Sequence, residues 1–525
     1  MVVSVGCCNL PMVTEEQQNN KRIAKNTLLL YFRMLVTMAV SLYTSRVVLQ
    51  SLGVEDFGIY NVVGGVVAMF SMLSGSLSSA ISRFITFVLG KNDLHMLERV
   101  FSSAVTIQIF LALIVFFLAE TVGIWFLNNK MTIPVERMGA ANLVLHFSIV
   151  AFCINLISVP YNAAIIAHEK MSMFAYVSIF EAVGKLVIAW AILISPIDRL
   201  VFYAVLMCVV AFLVRVIYGV YCKKCFKECC YRFVIDKHLL KQMFSFAGWN
   251  FIGASSAVLR DHGGNVVLNL FFGSSVNAAR GIAVQVQNAV CQFVSNFATA
   301  LTPQITKSYA NGNWTYMMTL IIQGARLSYY MLMLISLPLL LSTEYVLTIW
   351  LKSFPEHTVW FVRLMLVFVM SESISYPLIT AMLATGKIRN YQIIVGGFQM
   401  MNLPISYVLL RLGFASESVF VTAIIISQCC LFARLFMLRN MIKLNVSVYL
   451  GKVYVNIFVV TLCAILLPLF FKVCVWDSVS LLQFVLLSMM SLICSAMAIL
   501  FIGCNKEERI LIKKKIETLK RVRKK

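Results

Sequence analysis

Long apolar runs separated by short polar connections recur along the chain from residue 26 to residue 502. A helix that crosses about 30 Å of hydrocarbon needs roughly 20 apolar residues, which is the length of these runs. Because the runs are continuously apolar rather than alternating, they predict membrane-spanning helices and not the strands of a membrane barrel. The pattern predicts fourteen spans, near 26–50, 58–82, 100–122, 140–160, 173–194, 200–221, 244–272, 277–301, 315–341, 359–384, 391–411, 417–438, 450–471 and 479–502.

Composition supports this interpretation. Of the 525 residues, 60% are hydrophobic and only 13% are charged, and the mean hydropathy is +0.87. A soluble protein carries about 25% charged residues. The composition therefore excludes a soluble enzyme, a disordered chain and a fibrous repeat, and it predicts an all-α polytopic membrane protein.

The basic residues are distributed as a topology signal. The formal net charge is +22, and Lys and Arg concentrate in alternate connections between the predicted spans. Cytoplasmic loops carry such an excess, so we expect both termini in the cytoplasm and no nucleic-acid partner. Residues 1–20 lack the pattern of a cleavable signal peptide. The basic tail 503–525 is expected to be an amphipathic segment that binds anionic membrane lipids.

The number and order of the spans predict two parallel six-helix bundles followed by two C-terminal helices. The predicted segments are a cytoplasmic segment 1–25, an N-terminal lobe 26–221, a basic linker 222–243, a C-terminal lobe 244–438, helices thirteen and fourteen within 450–502, and the tail 503–525.

Sequence motifs for several other functions are absent. The chain has no GxxxxGK[ST] loop for ATP, no HExxH and no GxSxG. The linker carries four cysteines between Cys222 and Cys230, but no second CxxC pair follows at zinc-finger spacing. We therefore expect a transporter rather than an enzyme, with no metal and no other cofactor.

One predicted span contains a charged cluster. Arg260, Asp261 and His262 precede Gly263 and Gly264 near the middle of the seventh apolar run. Neighbouring helical residues point about 100° apart, so Arg260 and Asp261 are not expected to pair face to face. Polar residues at a weak point of a span predict a broken helix that lines a water-filled cavity. The alternative is a kink whose polar groups are satisfied by neighbouring spans.

Other charged residues fall inside the predicted spans, and basic ones outnumber acidic ones. Because the Arg fork suits phosphate oxygens, this excess predicts an anionic ligand. Glu181 and Lys185 are spaced to pair on one helix face, which is compatible with a structural or a functional role. Arg46, Arg83, Arg215, Arg363 and Arg434 lie near span ends, where interface anchoring is the simpler interpretation. The candidate ligand-binding residues are Arg33, Arg46, Arg83, Lys185, Arg260, Arg280 and Arg326, and the candidate ion-coupling residues are Glu181, Asp261 and Glu372.

Four stretches resemble a known family. They are Leu52–Tyr60 (LGVEDFGIY), Tyr161–Lys170 (YNAAIIAHEK), Leu270–Ile282 (LFFGSSVNAARGI) and Pro303–Lys307 (PQITK). With the span layout, they are similar to the polysaccharide flippases (O-antigen and capsule type) of the multidrug/oligosaccharidyl-lipid/polysaccharide (MOP) superfamily, which has a MATE-like fold.

The resemblance implies a cargo and a location. The expected cargo is an undecaprenyl-pyrophosphate-linked oligosaccharide repeat unit, moved across the bacterial inner membrane by alternating access. Expected protein partners are a polysaccharide polymerase and other glycan-assembly proteins. Related peptidoglycan-precursor flippases use basic residues in spans one, two and eight, where this chain has Arg33, Arg46, Arg83 and Arg280.

Three alternatives remain open from the sequence. A cation-coupled multidrug antiporter of the MATE type usually has twelve spans and an acid in span one, whereas span one here has Arg33 and Arg46. A non-transporting membrane scaffold of a glycan-synthesis complex would tolerate loss of Arg260. A ligase or polymerase of lipid-linked sugars would normally carry a large outside loop, and no such loop is predicted.

Overall fold

The computed structural model describes residues 15–68, 71–130, 134–195, 198–233, 236–351, 354–474, 480–505 and 508–509. Within these ranges the chain is helical and contains no strand, which confirms the predicted all-α fold. Most of the predicted tail 503–525 lies outside them, and the side chain of Arg46 is also outside the described part.

Eighteen α-helices follow one another in the described ranges. The first nine are α1 Glu15–Ala68, α2 Ser71–Gly90, α3 Leu94–Leu118, α4 Ile124–Lys130, α5 Met138–Ala167, α6 Met171–Ala191, α7 Arg199–Cys225, α8 Lys237–Ala310 and α9 Trp314–Leu341. The others are α10 Thr343–Leu351, α11 Thr358–Ser373, α12 Tyr376–Thr385, α13 Arg389–Met400, α14 Asn402–Arg411, α15 Ser418–Ile442, α16 Val446–Tyr449, α17 Asn456–Cys474 and α18 Leu481–Ala498.

Many of these helices have the length and composition to cross a membrane. Ten segments qualify in the described ranges, and an eleventh is the bent pair α11 and α12. The predicted spans 58–82, 244–272 and 277–301 are not among these segments of the described chain. The chain is thus a multi-pass membrane protein, and the count of fourteen spans stays a prediction.

Two helices are longer than any single span. The 54-residue α1 is kinked at Gly53, whose φ of 79° is a conformation that suits glycine. In the 74-residue α8, a straight helix would hold Asp261 and Arg280 about 28 Å apart. Arg280 Nη2 nevertheless donates to the Asp261 carbonyl oxygen at 2.8 Å. The chain therefore turns back between these residues, in agreement with two predicted spans in this region.

The chain divides into two compact units. Unit 1 comprises the described parts of 1–68, 104–232 and 299–304, and unit 2 those of 69–103, 233–298 and 305–525. In unit 1, α5 packs along α7, and α1 packs along α6. In unit 2, α9 packs against α11 and α18, and α15 packs against α11, α13 and α14.

One end of unit 1 brings together connections that the sequence assigns to one side of the membrane. Arg137 pairs with Asp56 and, at 2.5 Å, with Asp198, while Arg199 donates to the Ser51 carbonyl oxygen at 3.2 Å. These residues come from three connections predicted outside. Their association within one unit supports the predicted alternation of loops.

The opposite end of α5 gathers residues predicted on the other side. Glu169 accepts a hydrogen bond from Gln304 at 2.6 Å and lies 3.6 Å from Arg22. His168 contacts Glu228 of the linker at 2.5 Å and stacks on Phe226, with ring centroids 4.1 Å apart. Because α5 is about 45 Å long, the two polar clusters of unit 1 lie at opposite membrane faces. Which face is cytoplasmic remains the prediction from the basic residues.

The contact between His168 and Glu228 predicts that the stability of the protein depends on pH. Burial is the largest single effect and raises the pKa of Glu228, but the hydrogen bond and charge of His168, together with a backbone hydrogen bond, bring this pKa below its usual value. A lowered folded-state pKa stabilises the protein above the unfolded pKa, and this stabilisation is lost as the pH falls through the folded value. We expect Glu228→Gln to cost about 1–2 kcal/mol at neutral pH, because a hydrogen bond to a charged group is lost.

Thermal unfolding of the purified protein at a series of pH values measures this effect. The difference in Tm between wild type and Glu228→Gln should shrink as the pH falls below the usual Glu pKa of about 4.3, and it should disappear once the carboxyl of the folded protein is protonated. Glu136→Gln, at an exposed position of unit 1, is the control and should leave Tm unchanged. A difference that persists into the acid range would contradict the proposed pairing.

Candidate functional site

The predicted charged cluster in α8 keeps its helical backbone. All of Arg260–Gly264 is helical, so the prediction of a broken helix at this point is wrong. The two glycines serve close packing instead. A Cβ at Gly264 would overlap the guanidinium of Arg280, and one at Gly263 would overlap the side chain of Leu403.

Arg260 and Asp261 pair although they are neighbours in sequence. Arg260 Nε donates to Asp261 Oδ1 at 2.9 Å, and Nη2 donates to Oδ2 at 3.3 Å. The expectation that they could not pair is wrong, because the long Arg side chain folds back over its own helix. Its guanidinium also lies 5.2 Å from the centre of the Phe368 ring, which leaves Arg260 mostly buried.

Arg280 is the more unusual of the two arginines. It is 6% exposed and donates one hydrogen bond, to the Asp261 carbonyl oxygen. Among the described residues, its Nε and Nη1 atoms have no hydrogen-bond partner, and neither has Asn402 Nδ2. Arg280 and Asn402 line a void of about 20 Å³, which holds little more than one water molecule. A buried guanidinium with unused donors is an anion-binding feature.

A larger cavity of about 290 Å³ lies within unit 2. We call it the unit-2 pocket. Its polar lining residues are Asn250, Arg260, Gln287, Cys291, Glu372, Tyr376, Tyr391, Gln392, Gln399 and Arg434. Arg260 and Gln287 also line the void beside Arg280, so the two cavities are neighbours.

The pocket lies at a bend in predicted span ten. Helices α11 and α12 meet there at 41°. The bend frees backbone groups, and the Tyr449 hydroxyl donates to the Ile374 carbonyl oxygen at 3.2 Å. A helix interruption that lines a cavity is therefore present, but in span ten rather than in span seven. Pro377, one residue into α12, is the sequence signal for it.

An ion pair forms the wall of the pocket at this bend. Arg434 Nη1 donates to Ser375 Oγ at 3.0 Å, and Nη2 lies 3.9 Å from Glu372 Oε1. The Ser427 hydroxyl donates to the other Glu372 oxygen. Because Arg434 is 1% exposed, the prediction that it anchors at the membrane interface is wrong.

The remaining predicted residues do not join this pocket. Arg326 is also buried, but it donates to the Gly503 carbonyl oxygen at 3.0 Å and to Glu508 Oε1 at 2.8 Å. It therefore attaches the end of the last span to α9. Arg326 is predicted from the sequence to bind the ligand, but it lines neither of the two cavities and is held by these acceptors instead.

Arg83 makes its contacts inside unit 2, although among the described residues its Nε has no hydrogen-bond partner. It donates to the Ala384 carbonyl oxygen at 3.1 Å, and its guanidinium lies within 6 Å of the Phe84, Phe87 and Phe246 rings. These contacts point Arg83 into the protein rather than to the membrane border.

Three predicted residues whose side chains are described lie in unit 1. Arg33 stacks over the Phe174 ring at 4.6 Å. Lys185 pairs with Glu181 at 2.7 Å on one face of α6, in agreement with the predicted spacing. Both members of this pair are 41% exposed.

Sequence reasoning missed most of the pocket. Asn250, Gln287, Gln392 and Gln399 are amides in otherwise apolar runs, and amides at such positions are costly in lipid. That cost was a usable signal, but it does not show which amides meet. Among the described residues, no group of three or more His, Cys, Asp or Glu side chains is placed to hold a metal ion.

Comparison with known proteins gives the family. Residues 23–309, more than half of the chain, match the family model described as polysaccharide biosynthesis protein. The chain is also 20% identical over 298 residues to the uncharacterized membrane protein EpsK of Bacillus subtilis. This similarity covers 56% of the chain and 58% of that relative's length.

Solved structures of low sequence identity share the fold. An outward-facing MATE multidrug transporter of the MOP superfamily matches with a TM-score of 0.69 and 14% identity, over 81% of this chain and 96% of the other. A MATE in the bent conformation matches with a TM-score of 0.70 and 14% identity, over 84% and 100%. A MOP superfamily transporter from Pyrococcus furiosus, described as having a binding pocket of reverse polarity, matches with a TM-score of 0.67 and 14% identity, over 82% and 98%.

The solved structures that share the fold are membrane transporters. The chain therefore belongs to the polysaccharide biosynthesis protein family and has the fold of the MATE transporters of the MOP superfamily.

Proposed function

We propose that this protein is a flippase that moves undecaprenyl-pyrophosphate-linked oligosaccharide repeat units across the bacterial inner membrane by alternating access. Membership of a polysaccharide biosynthesis family supports a glycan cargo. The transporter fold supports movement rather than synthesis. The buried arginines support a pyrophosphate group, and the lipid link is what the resemblance to the polysaccharide flippases implies.

The surroundings of Arg280 are the main observation in support of the proposal. It is buried in a predicted span, and among the described residues no carboxylate lies within salt-bridge distance of it. Asp261, whose carbonyl oxygen accepts the hydrogen bond from Arg280, already pairs its carboxylate with Arg260. A charge within a membrane protein that lacks a counter-ion is costly, and such residues mark ligand pathways. A phosphate oxygen would supply both the missing negative charge and the missing acceptor.

The roles follow from this chemistry. Arg280 and Arg260 bind the pyrophosphate, while Arg33 and Arg83 contribute positive charge elsewhere along the path. Glu372 is the candidate for energy coupling, because it is the one carboxylate that lines the unit-2 pocket. A polysaccharide polymerase is the expected acceptor of the cargo after transfer.

Complementation of a flippase deletion tests the proposal. The wild-type gene should restore surface glycan and remove the accumulated lipid-linked precursor, both measured in the same cells. Restoration of neither, with normal protein in the membrane and the matching glycan supplied by the host, would contradict the proposal.

A cation-coupled multidrug antiporter is the second candidate. The fold similarity to multidrug MATE transporters favours it, and Glu372 offers a carboxylate at a helix bend. This candidate predicts increased drug resistance in a strain that lacks its own exporters. A non-transporting scaffold predicts that glycan export survives Arg280→Gln.

A further inference from the structure

The unit-2 pocket has a lining of mixed hydrogen-bonding character. Four amides, two phenols and an ion pair face the same small volume. Gln392 Nε2 donates to Asn250 Oδ1 at 3.4 Å, so two of the amides form a chain along one wall. The rest of the lining is apolar and includes the Phe368 ring. Amides and phenols each both donate and accept hydrogen bonds.

This lining does not fit the simplest ligands. Glu372, the carboxylate among the described lining residues, is already bound to Arg434 and Ser427, so a metal cation or an organic cation would find no free negative charge in the pocket. A purely apolar molecule would leave the amides and the ion pair without partners. A single small anion would leave most of the space empty, because about 290 Å³ approaches the lower limit of small-molecule sites.

A hydroxylated ring fits each of these features. Sugar hydroxyl groups donate and accept, so they satisfy amide oxygens, amide nitrogens and phenols alike. The apolar faces of a sugar ring pack on aromatic side chains such as those of Phe368, Tyr376 and Tyr391. The volume admits one ring with its substituents and not an oligosaccharide.

We propose that the unit-2 pocket binds one sugar residue of the transported glycan and thereby contributes to the choice of cargo. This inference rests on the proposed flippase function and deepens it. A site built to hydrogen-bond a hydroxyl group discriminates strongly against a ligand that lacks it, because the buried partners are left unpaired. The pocket therefore distinguishes sugars that differ in a single hydroxyl position.

Gly253 keeps the pocket open. A Cβ at this position would overlap the side-chain amide of Gln392. A larger residue must displace that amide and occupy part of the space that it borders. Gly253→Val therefore narrows the pocket from the side of α8, while Gln392→Leu removes one amide at nearly constant volume.

The experiment measures thermal unfolding of the purified full-length protein with free sugars added. The probes are D-glucose, D-galactose, D-mannose, N-acetyl-D-glucosamine and D-glucuronate, each titrated to its solubility limit. Sugars also stabilise proteins without binding, because they are excluded from the protein surface. Epimers share this general effect, so a difference between epimers reports binding.

We expect at least one sugar to raise Tm in a saturable way in wild type and to exceed the effect of its epimers. This additional shift should disappear in Gln392→Leu and in Gly253→Val. Gln242→Leu, an exposed amide at the start of the same helix, should keep it. If all sugars give equal, unsaturable shifts in wild type and variants, the sugar pocket is refuted.

The two proposals fail in different ways. Complementation by wild type together with absence of any selective sugar shift refutes the pocket alone. Failure of wild type to restore export refutes the flippase function, whatever the sugars do to Tm. If Gly253→Val does not fold, Gln392→Leu alone tests the sugar pocket. This substitution replaces one side chain by another of similar volume and does not constrain the backbone.

Discussion

Replacement of Arg280 by glutamine is expected to reduce the rate of glycan export about 100-fold or more while leaving the protein folded. Two unused guanidinium donors and an unpaired charge are removed together, and charge-assisted hydrogen bonds contribute about 1.5–3 kcal/mol each. Each 1.4 kcal/mol corresponds to a tenfold change. Cells that carry this variant should accumulate the lipid-linked precursor.

Stability separates this result from a folding defect. Arg280 donates one hydrogen bond within the protein and, among the described residues, has no carboxylate partner. Removal of such a buried charge should leave Tm unchanged or raise it, since functional residues are often kept at a cost in stability. Arg280→Lys should retain partial export, because it keeps the charge and loses the planar fork.

Arg411→Gln is the matched control. It removes an exposed arginine at the end of α14 and should affect neither export nor Tm. Normal export by Arg280→Gln at normal protein levels would contradict the anion role and would favour the scaffold interpretation. A fall in Tm for Arg280→Gln alone would assign Arg280 a structural role instead.

Replacement of Arg434 by methionine is expected to cause the largest loss of stability. This substitution removes the buried arginine that pairs with Glu372. The Glu372 carboxylate then keeps its hydrogen bond from the Ser427 hydroxyl but loses its ion pair with Arg434. Removal of one member of a buried ion pair typically costs 3–5 kcal/mol, because the other charge stays buried without compensation. We expect a large fall in Tm and a poor yield of monodisperse protein.

The double variant Arg434→Met/Glu372→Gln tests this explanation. Replacement of both charges removes the uncompensated carboxylate, so most of the lost stability should return. A double variant as unstable as Arg434→Met would show that packing rather than charge explains the loss. Glycan export by the recovered double variant then tests whether Glu372 has a role in energy coupling. Loss of export supports its coupling role, and retained export makes the ion pair structural.

The sequence alone was sufficient for the fold class, because burial of apolar side chains in hydrocarbon is a local property of each run. Each of the ten qualifying helices is recognisable from its own twenty or so residues. The pairing of Glu181 with Lys185 was equally predictable, since both lie on one helix face four residues apart.

The sequence was less informative about the site, because each arginine takes its role from distant residues. Arg326 and Arg280 are both buried arginines in apolar helices, yet Arg326 meets Glu508 and Arg280 meets no carboxylate in the described chain. Nothing in the flanking residues separates the two cases. Sequence separations of 182 and 19 residues place these contacts beyond local reasoning.

What the amino-acid pattern determined by itself is a multi-pass, all-α membrane protein with an excess of positive charge. What only the tertiary structure decided is which polar groups are paired. It placed the interruption in span ten, joined Arg434 to Glu372, and gathered amides from α8 and α13 around one cavity. The physical reason is that hydrophobicity sums along a single helix, whereas hydrogen bonds and ion pairs depend on which helices pack together.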